Sequence, residues 1–587
     1  MGGIAYTILG ALGLISFCAG FSLSLRRGLQ LQMGSGNENP AILARGGKKK
    51  RPLSLPDLSQ KAFPIAPDEG YDLIVIGSGP GGEACAVRAA QLGKRVAVLE
   101  KKAAFGGPTG LTSKAVREAT KRIVRAVDEI GGDRRRQVKG LWKRGFPVLK
   151  TEAEVLQVAE TRDKLKKNGV DLYVGTATFA SGNMNGMTRM RVCRKEEECV
   201  EIPARHVVIA TGSRPSRPEV LFNGGPPLPF DSSTRCLTAT EMGNIKELPN
   251  AIAIVGGGVI AVEYATVLAE LGVGVSLLCP EEGFMPFLDK ELRENLKRRM
   301  KASHILFVHE AIKEIIVGQD DAVDPLKVVL EPRVMENRNS TRVLPERRLT
   351  VDLLLYSGGR DANSEGLGLE NLFISVGKYG RLITDERRRC LGTTAANSVY
   401  AIGDVVGAGL ASTAQQQGRT VAELLFGRLD EQKDNDEEEE QSASEQQVDT
   451  LMTLFGGSDS APLTLWTIPE ISTVGQTAEG LRAQGKTPFV GFAYYKDIAR
   501  GRLSGETGGY LKIVALRHAH GVHRIMGVQI MGEGANELIQ MGCVMVAGRH
   551  TIEEVSRTPF AAVTLSALYS IACDDALLSA KSKSTSS

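Results

Sequence analysis

The chain reads as an α/β protein, with two doubly wound nucleotide-binding units followed by a smaller α+β domain. Three observations predict this. Gly77-Ser78-Gly79-Pro80-Gly81-Gly82 follows the apolar run Leu73–Ile76, and Gly256-Gly257-Gly258-Val259-Ile260-Ala261 follows Ala251–Val255. Each glycine turn runs on into a helical stretch. A turn without side chains lets backbone N–H groups and a helix N-terminus approach a pyrophosphate closely. The third observation is Thr464–Leu578, where strand candidates Phe489–Tyr495, Gly509–Ala515 and Ile525–Ile530 precede a helix from about Ala535.

A lone glycine turn after a strand is weak evidence, because such turns also arise for steric reasons. Here the context adds weight. Arg95–Leu99 reads as the second strand of the first unit, and Glu100 stands at its end, where a carboxylate can take ribose hydroxyls. That unit closes with the strand His206–Ala210 and the turn Thr211-Gly212-Ser213-Arg214-Pro215. The second unit closes with Val351–Tyr356. Its strand Val275–Leu278 ends at Cys279, with Glu281 and Glu282 just beyond, and acids near a ribose favour a nucleotide without a 2′-phosphate. Val399–Ile402, then Gly403-Asp404, is a third strand-to-turn site, followed by a helix from near Ala411 to about Arg428.

The expected organisation is therefore a hydrophobic targeting or anchor segment (1–27), a basic flexible linker (28–68), a first nucleotide domain (69–218) and a second (219–358). The first domain then resumes as a central part (359–428), followed by an acidic insertion (429–461), the α+β domain (462–580) and a tail (581–587). The insertion carries Glu437–Glu440 among Gln, Asp and Ser, a composition that stays solvated and disordered.

At 587 residues the chain has room for three or four domains, each with its own core. A net charge of +4, concentrated in the first quarter, gives no support for a nucleic-acid partner. Nine cysteines show no repeated spacing, so neither a disulfide framework nor a zinc site is expected. Cys193 and Cys199 flank Arg-Lys-Glu-Glu-Glu and read as reduced thiols on a solvated hairpin. A hairpin tip accounts for His518, His520 and His523 better than a metal centre.

Ile4–Leu25 carries no charge and is long enough to cross a bilayer, which needs about 20 apolar residues. Arg26 and Arg27 follow, and Cys18-Ala19-Gly20 offers a small-residue cleavage site before Phe21. The expectation is an organelle-targeting presequence or a retained membrane anchor, with the rest of the chain in a soluble compartment (mitochondrion, plastid or cytoplasmic face).

From Tyr71 to about Cys573 the chain resembles the two-dinucleotide flavoproteins of the pyridine nucleotide-disulfide oxidoreductase family. The motifs are Gly77-x-Gly79-x-x-Gly82 with Glu100, Ala210-Thr211-Gly212, and Gly256-x-Gly258-x-x-Ala261-x-Glu263. To these add Gly359-Arg360-x-x-Asn363, Tyr400-Ala401-Ile402-Gly403-Asp404 and Ile468-Pro469-Glu470-Ile471-Ser472-Thr473-Val474-Gly475. The resemblance implies Rossmann-like FAD-binding and NAD(P)-binding domains, with a C-terminal α+β dimerisation domain that makes a homodimer. It implies FAD as cofactor and NAD(H)/NADP(H) as substrates. Glu100 would hold the adenosine ribose, and Asp404 a ribityl hydroxyl. The helix starting near Ala411 would aim its N-terminus at the pyrimidine end of the flavin. Lys114 and Glu263 would meet beside flavin N5, where hydride arrives.

One departure stands out. Disulfide reductases of the family carry a Cys-x4-Cys pair before Ser-Lys on the next helix. Here Gly106-Gly107-Pro108-Thr109-Gly110-Leu111-Thr112-Ser113-Lys114 is shorter and holds no cysteine, and Ala561–Tyr569 lacks the usual His and Glu. Thiol exchange needs an attacking sulfur and a base. The expectation is an enzyme without a redox disulfide, resembling the soluble pyridine nucleotide transhydrogenases: NADPH + NAD ⇌ NADP + NADH. The alternatives are an NAD(P)H dehydrogenase acting on a quinone or other acceptor, and a catalytically retired scaffold.

Overall fold

The computed structural model describes residues 63–584, apart from 108–110, 185, 195–197, 222–224, 231–234, 318–324, 338–339, 393–397, 408, 428–460 and 519–520. The anchor segment, most of the linker, the acidic insertion, His520 and the end of the tail lie outside the described residues.

The first sheet places the parallel strands Asp171–Val174, Val96–Glu100, Tyr71–Ile76 and Cys199–Ile209 side by side. Val399–Ala401 adds a parallel strand beyond Val207–Ile209. Tyr71–Ile76 is buried almost throughout, as expected of a parallel strand covered on both faces. After Gly175 the chain turns back as an antiparallel meander, Thr176–Met184 and Met187–Cys193, which joins the first half of Cys199–Ile209. Met187–Cys193 alternates, with Thr188, Met190 and Val192 turned inward.

The second sheet is wholly parallel, in the order Leu306–Val308, Gly274–Leu278, Ala251–Val255, Leu353–Tyr356, Cys236–Leu237. The helix Val259–Glu270 is apolar around nearly its whole circumference and is buried from Ala261 to Leu268. It has to be, because one side meets this sheet and the other meets the helix Leu111–Ile130. That second helix turns at Gly131 and Gly132, both at positive φ, into the long helix Arg134–Lys167, whose N-terminus is capped by the Asp133 carboxylate.

The third sheet is antiparallel, in the order Leu463–Leu465, Ile471–Gly475, His523–Met531, Tyr510–Arg517, Phe489–Tyr494. The helices Ala535–Ala547 and Leu568–Ser584 pack on it around Val474, Ile513, Val528 and Tyr569. A separate apolar cluster runs from Val116 and Trp142, through Ala261 and Leu268, to Leu465 and Ile471. The three units thus share one core beside the glycine turns, and this fixes their side chains relative to one another.

Candidate functional site

The first glycine turn is built by close approach. A Cβ on Gly77, whose φ is +98°, would lie 2.5 Å from the Ala210 carbonyl oxygen, and one on Gly82 would lie 2.0 Å from that of Gly77. Above Gly79 a Cβ would meet no atom within 4 Å, so that face of the turn is open. One Glu100 carboxylate oxygen accepts from both Ser78 N (2.9 Å) and Ser78 Oγ (2.6 Å). Among the described residues the other oxygen takes no hydrogen bond, which leaves it for a ligand hydroxyl. Ser78 Oγ in turn accepts from Gly106 N, and the Gln157 amide donates to the carbonyls of Gly106 and Gly107. The long helix therefore braces the loop that lies over the turn.

On the opposite wall, Asp404 accepts from Ser213 Oγ at 2.7 Å, and Arg360 donates to both the hydroxyl and the carbonyl of Ser213. The Asn363 side-chain amide donates to the Thr211 carbonyl and its backbone N–H donates to Gly212 O, which locks the Thr211-Gly212 turn. The helix Ala411–Phe426 begins after Leu410 with no side-chain cap. Its first N–H groups and the positive end of its dipole are therefore free to face an anion. The buried Thr211 Oγ has no hydrogen-bond partner among the described residues. An open glycine face, two acids with spare oxygens and an orphaned buried hydroxyl suit a long polar dinucleotide such as FAD.

The second turn repeats the first with one change. Gly256 adopts φ +125° against Ser357, Gly258 is open, and a Cβ on Gly257 would lie 2.4 Å from Gly283 O. Met285 N donates to Gly257 O, so the segment after Cys279 wraps directly around the turn. Glu281 in that segment is paired with Lys297 at 2.9 Å, which holds its carboxyl below the ordinary glutamate range. His309 Nδ1 lies 2.9 Å from the Cys279 carbonyl.

The helix Leu111–Ile130, which comes after the Gly106-Gly107 loop, packs against Val259–Glu270, the helix of the second turn, and the expected pair, one residue on each helix, reaches a common third residue. Glu263 is buried and accepts the backbone N–H of Trp466 at 2.9 Å. The Lys114 ammonium sits 5.8 Å from the centroid of the Trp466 ring. Among the described residues the two charges make no ion pair with each other: the ammonium stands over the indole face and the peptide N–H satisfies the carboxylate. The Trp466 segment is strapped on both sides. Ile468 N donates to Thr266 Oγ, and Arg117 Nε donates to Thr467 O. Arg117, almost fully buried, also pairs with Glu470 at 2.6 Å and faces the same indole. Sequence reasoning did not single out Trp466 or Arg117. The Ile468–Gly475 motif marked the neighbourhood but not the contacts.

The cysteine expectation is corrected. Cys193 and Cys199 form a disulfide, S–S 2.05 Å, across the hairpin between Met187–Cys193 and Cys199–Ile209. The antiparallel register sets the two residues directly opposite each other, so a spacing that looked unrelated to pairing brings the sulfurs together. The chain therefore does carry a disulfide, and the reading of it as lacking one is withdrawn. Gly175 packs against the Cys193 carbonyl and donates its N–H to Glu100 O, so the hairpin backs onto the strand that carries Glu100. Burial pushes the free thiols of Cys85 and Cys390 up to about 12 and those of Cys279 and Cys543 up to about 11. None of these four is a thiolate at neutral pH. His523 is paired with Glu553, and no metal-holding cluster forms among the described residues.

Comparison with known proteins agrees with this geometry. The family model "Pyridine nucleotide-disulphide oxidoreductase" matches residues 71–418, and its dimerisation-domain model matches residues 461–571. Soluble pyridine nucleotide transhydrogenase of Hahella chejuensis is 31% identical over 520 residues, covering 86% of this chain and 97% of its own. That of Ectopseudomonas mendocina is 31% identical over 530 residues, covering 86% and 98%. Among solved structures, LpdA from Mycobacterium tuberculosis superimposes with TM-score 0.68 at 23% identity, over 86% of this chain and 99% of its own. The flavoprotein disulfide reductase RclA from Escherichia coli, as its Cu(II) complex, gives 0.65 at 22%, over 86% and 99%. With both its nucleotide-binding part and its C-terminal domain matched, this chain belongs to the pyridine nucleotide-disulphide oxidoreductase family of FAD- and NAD(P)-using enzymes.

Proposed function

We propose that this chain exchanges hydride between nicotinamide nucleotides through FAD, NADPH + NAD ⇌ NADP + NADH. The observation that carries the reading is the packing of Leu111–Ile130 on Val259–Glu270, the helix of the second glycine turn, with Lys114 and Glu263 both reaching Trp466. The transhydrogenase relatives, matched over nearly their whole length, point the same way.

Bound FAD supplies a carrier that takes a hydride from one nicotinamide and gives it to the next. The protein's share is binding, orientation and charge. Gly77, Gly79 and Gly82 open the first cradle to a pyrophosphate, with Glu100, Thr211, Gly212 and Asp404 holding hydroxyls along its length. Gly256, Gly258 and Ala261 do the same for the nicotinamide dinucleotide. The Lys114 ammonium and the N-terminus of the helix from Ala411 offset the negative charge that arrives with the hydride. Glu263, fixed by the Trp466 N–H, shapes the nicotinamide side of the site.

The matched dimerisation domain supports a homodimer. No helix among the described residues is long and apolar enough to cross a membrane. Targeting or anchoring through Ile4–Leu25 is a separate proposal from the sequence.

The test is thio-NAD reduction by NADPH in the purified holoprotein, run beside quinone reduction. Transhydrogenation faster than quinone reduction is expected. Quinone reduction alone would make the chain an NAD(P)H dehydrogenase, and absence of flavin after reconstitution would favour a scaffold. A parallel arm with Cys193→Ser/Cys199→Ser reads whether the hairpin disulfide takes part in electron transfer.

A further inference from the structure

We propose that Trp466 is a positioning residue for hydride transfer, keeping the Lys114 ammonium and the Glu263 carboxylate apart while fixing both. This rests on the reading above, that hydride passes where the helix Leu111–Ile130 meets the helix Val259–Glu270.

Three contacts converge on this one residue. Its peptide N–H is donated to Glu263 Oε1 at 2.9 Å. Its ring faces two cations, with Lys114 Nζ over it at 5.8 Å and the Arg117 guanidinium over it at 5.6 Å. The electron-rich face of an indole attracts a cation without neutralising its charge. A carboxylate in direct contact would instead pair with it and spend its field. Lys114 and Glu263 come from different helices but reach the same side chain and the same peptide. Loss of the ring would leave the ammonium without this aromatic partner while the peptide N–H to Glu263 stayed in place.

The segment that delivers Trp466 is held firmly enough for this task. Its carbonyl at Thr467 takes the Arg117 Nε, its N–H at Ile468 goes to Thr266, and Glu470 is locked to Arg117 and to Asn536 N. Arg117, Thr467 and Glu470 are all buried. The indole therefore enters from the C-terminal domain on a fixed strap, while the residues it separates belong to the two nucleotide-binding units.

Replacement of the ring separates the two jobs, because any residue at 466 keeps the N–H to Glu263. Trp466→Phe keeps a weaker aromatic face, and flavin reduction by NADH should stay within about threefold of wild type. Trp466→Leu should slow reduction about tenfold with FAD still bound, and shift the flavin potential to more negative values as Lys114 turns to Glu263. Adding Glu263→Gln to Trp466→Leu removes the competing carboxylate and should bring rate and potential most of the way back. A general packing defect would not be repaired by that second change. Trp466→Leu without effect on rate and potential, or a double variant no better than the single one, would overturn the proposal.

A second measurement is independent of turnover. The chain has two tryptophans, so Trp142→Phe leaves Trp466 as the sole indole emitter. Lys114→Met in that holoprotein should shift the Trp466 emission, and an unchanged spectrum would also overturn the proposal. If no nicotinamide reduced the wild-type flavin, the functional reading would fall, while the emission shift would still report whether Trp466 holds Lys114.

Discussion

Gly418 lies so close to Gly81 that a Cβ built on it would sit 2.2 Å from the Gly81 carbonyl oxygen. The contact sets the helix Ala411–Phe426 directly on the helix Pro80–Gln91, which starts at the first glycine turn. Gly418→Ala must push the two apart, at a cost of about 1–3 kcal/mol for overpacking. The expected outcome is a lower melting temperature and partial loss of FAD on gel filtration. Full FAD retention with an unchanged melt would show that the helices are free to separate.

The Arg117–Glu470 pair links the helix bearing Lys114 to the C-terminal domain through two nearly buried side chains. Removing one partner leaves an uncompensated buried charge, which costs about 3–5 kcal/mol. Arg117→Met and Glu470→Gln should each destabilise strongly in urea unfolding. Arg117→Met/Glu470→Leu should cost less than the sum of Arg117→Met and Glu470→Leu measured singly. Additive losses would mean that the two side chains act independently.

Lys512 is buried and bridges Asp289 and Glu291 at 2.8 Å each, tying the third sheet to the helix Lys290–Ala302 that Asp289 caps. Burial opposes its charge, but the hydrogen bonds to the two acids outweigh this, and its pKa stands above the ordinary lysine value. A raised pKa stabilises the fold fully below the unfolded lysine value of about 10.4, and the stabilisation is lost as pH rises through the folded pKa. Lys512→Met should therefore melt well below wild type at pH 7, with the gap closing in strongly alkaline buffer. A gap that stayed constant with pH would point to lost packing rather than lost charge.

Nucleotide preference follows from the segment that wraps the second glycine turn. Glu281 and Glu282 bring two carboxylates, of which Lys297 offsets one. The balance still repels a 2′-phosphate, so NAD(H) should bind more tightly than NADP(H). Glu281→Ala/Glu282→Ala should improve NADPH binding by about threefold, the scale of an exposed charge pair. Stopped-flow flavin reduction by NADPH that is both faster and tighter at low salt in the wild type would reverse the assignment.

The C-terminal domain leaves Val544, Val563 and Leu578 largely exposed, at 65%, 56% and 65%. Large apolar side chains on the surface of a dimerisation domain are best covered by a second copy. Light scattering of the FAD-bound protein at micromolar concentration should give a dimer mass, and Val544→Asp/Val563→Asp should shift it toward monomer. A monomeric wild type would remove the dimer.

Much of this was legible in the sequence, because local rules dictate it. The glycine turns, the strand ending at Glu100, the Gly403-Asp404 corner and the helix from Ala411 all sit where short-range signals placed them. What was not legible depends on long-range register and packing. Cys193 and Cys199 look unrelated until antiparallel pairing sets them opposite each other. Lys114 and Glu263 were expected to meet because the family resemblance implied it, and the structure gives them no ion pair with each other. No spacing rule could reveal that Trp466, some 200 residues beyond Glu263, would bond Glu263 through its N–H and face Lys114 with its ring, on a strap anchored by Arg117.

The hairpin disulfide means that this polypeptide has two covalent forms, and the milieu in which it is made and handled selects between them. A reducing cytosol, or a reductant added during purification, yields the dithiol, while an oxidising compartment yields the closed loop. Cys193 packs against Gly175, whose N–H goes to Glu100 O, so the two forms differ next to the strand bearing Glu100. Alkylation with a mass readout, done before any kinetic work, identifies which species is in the cuvette.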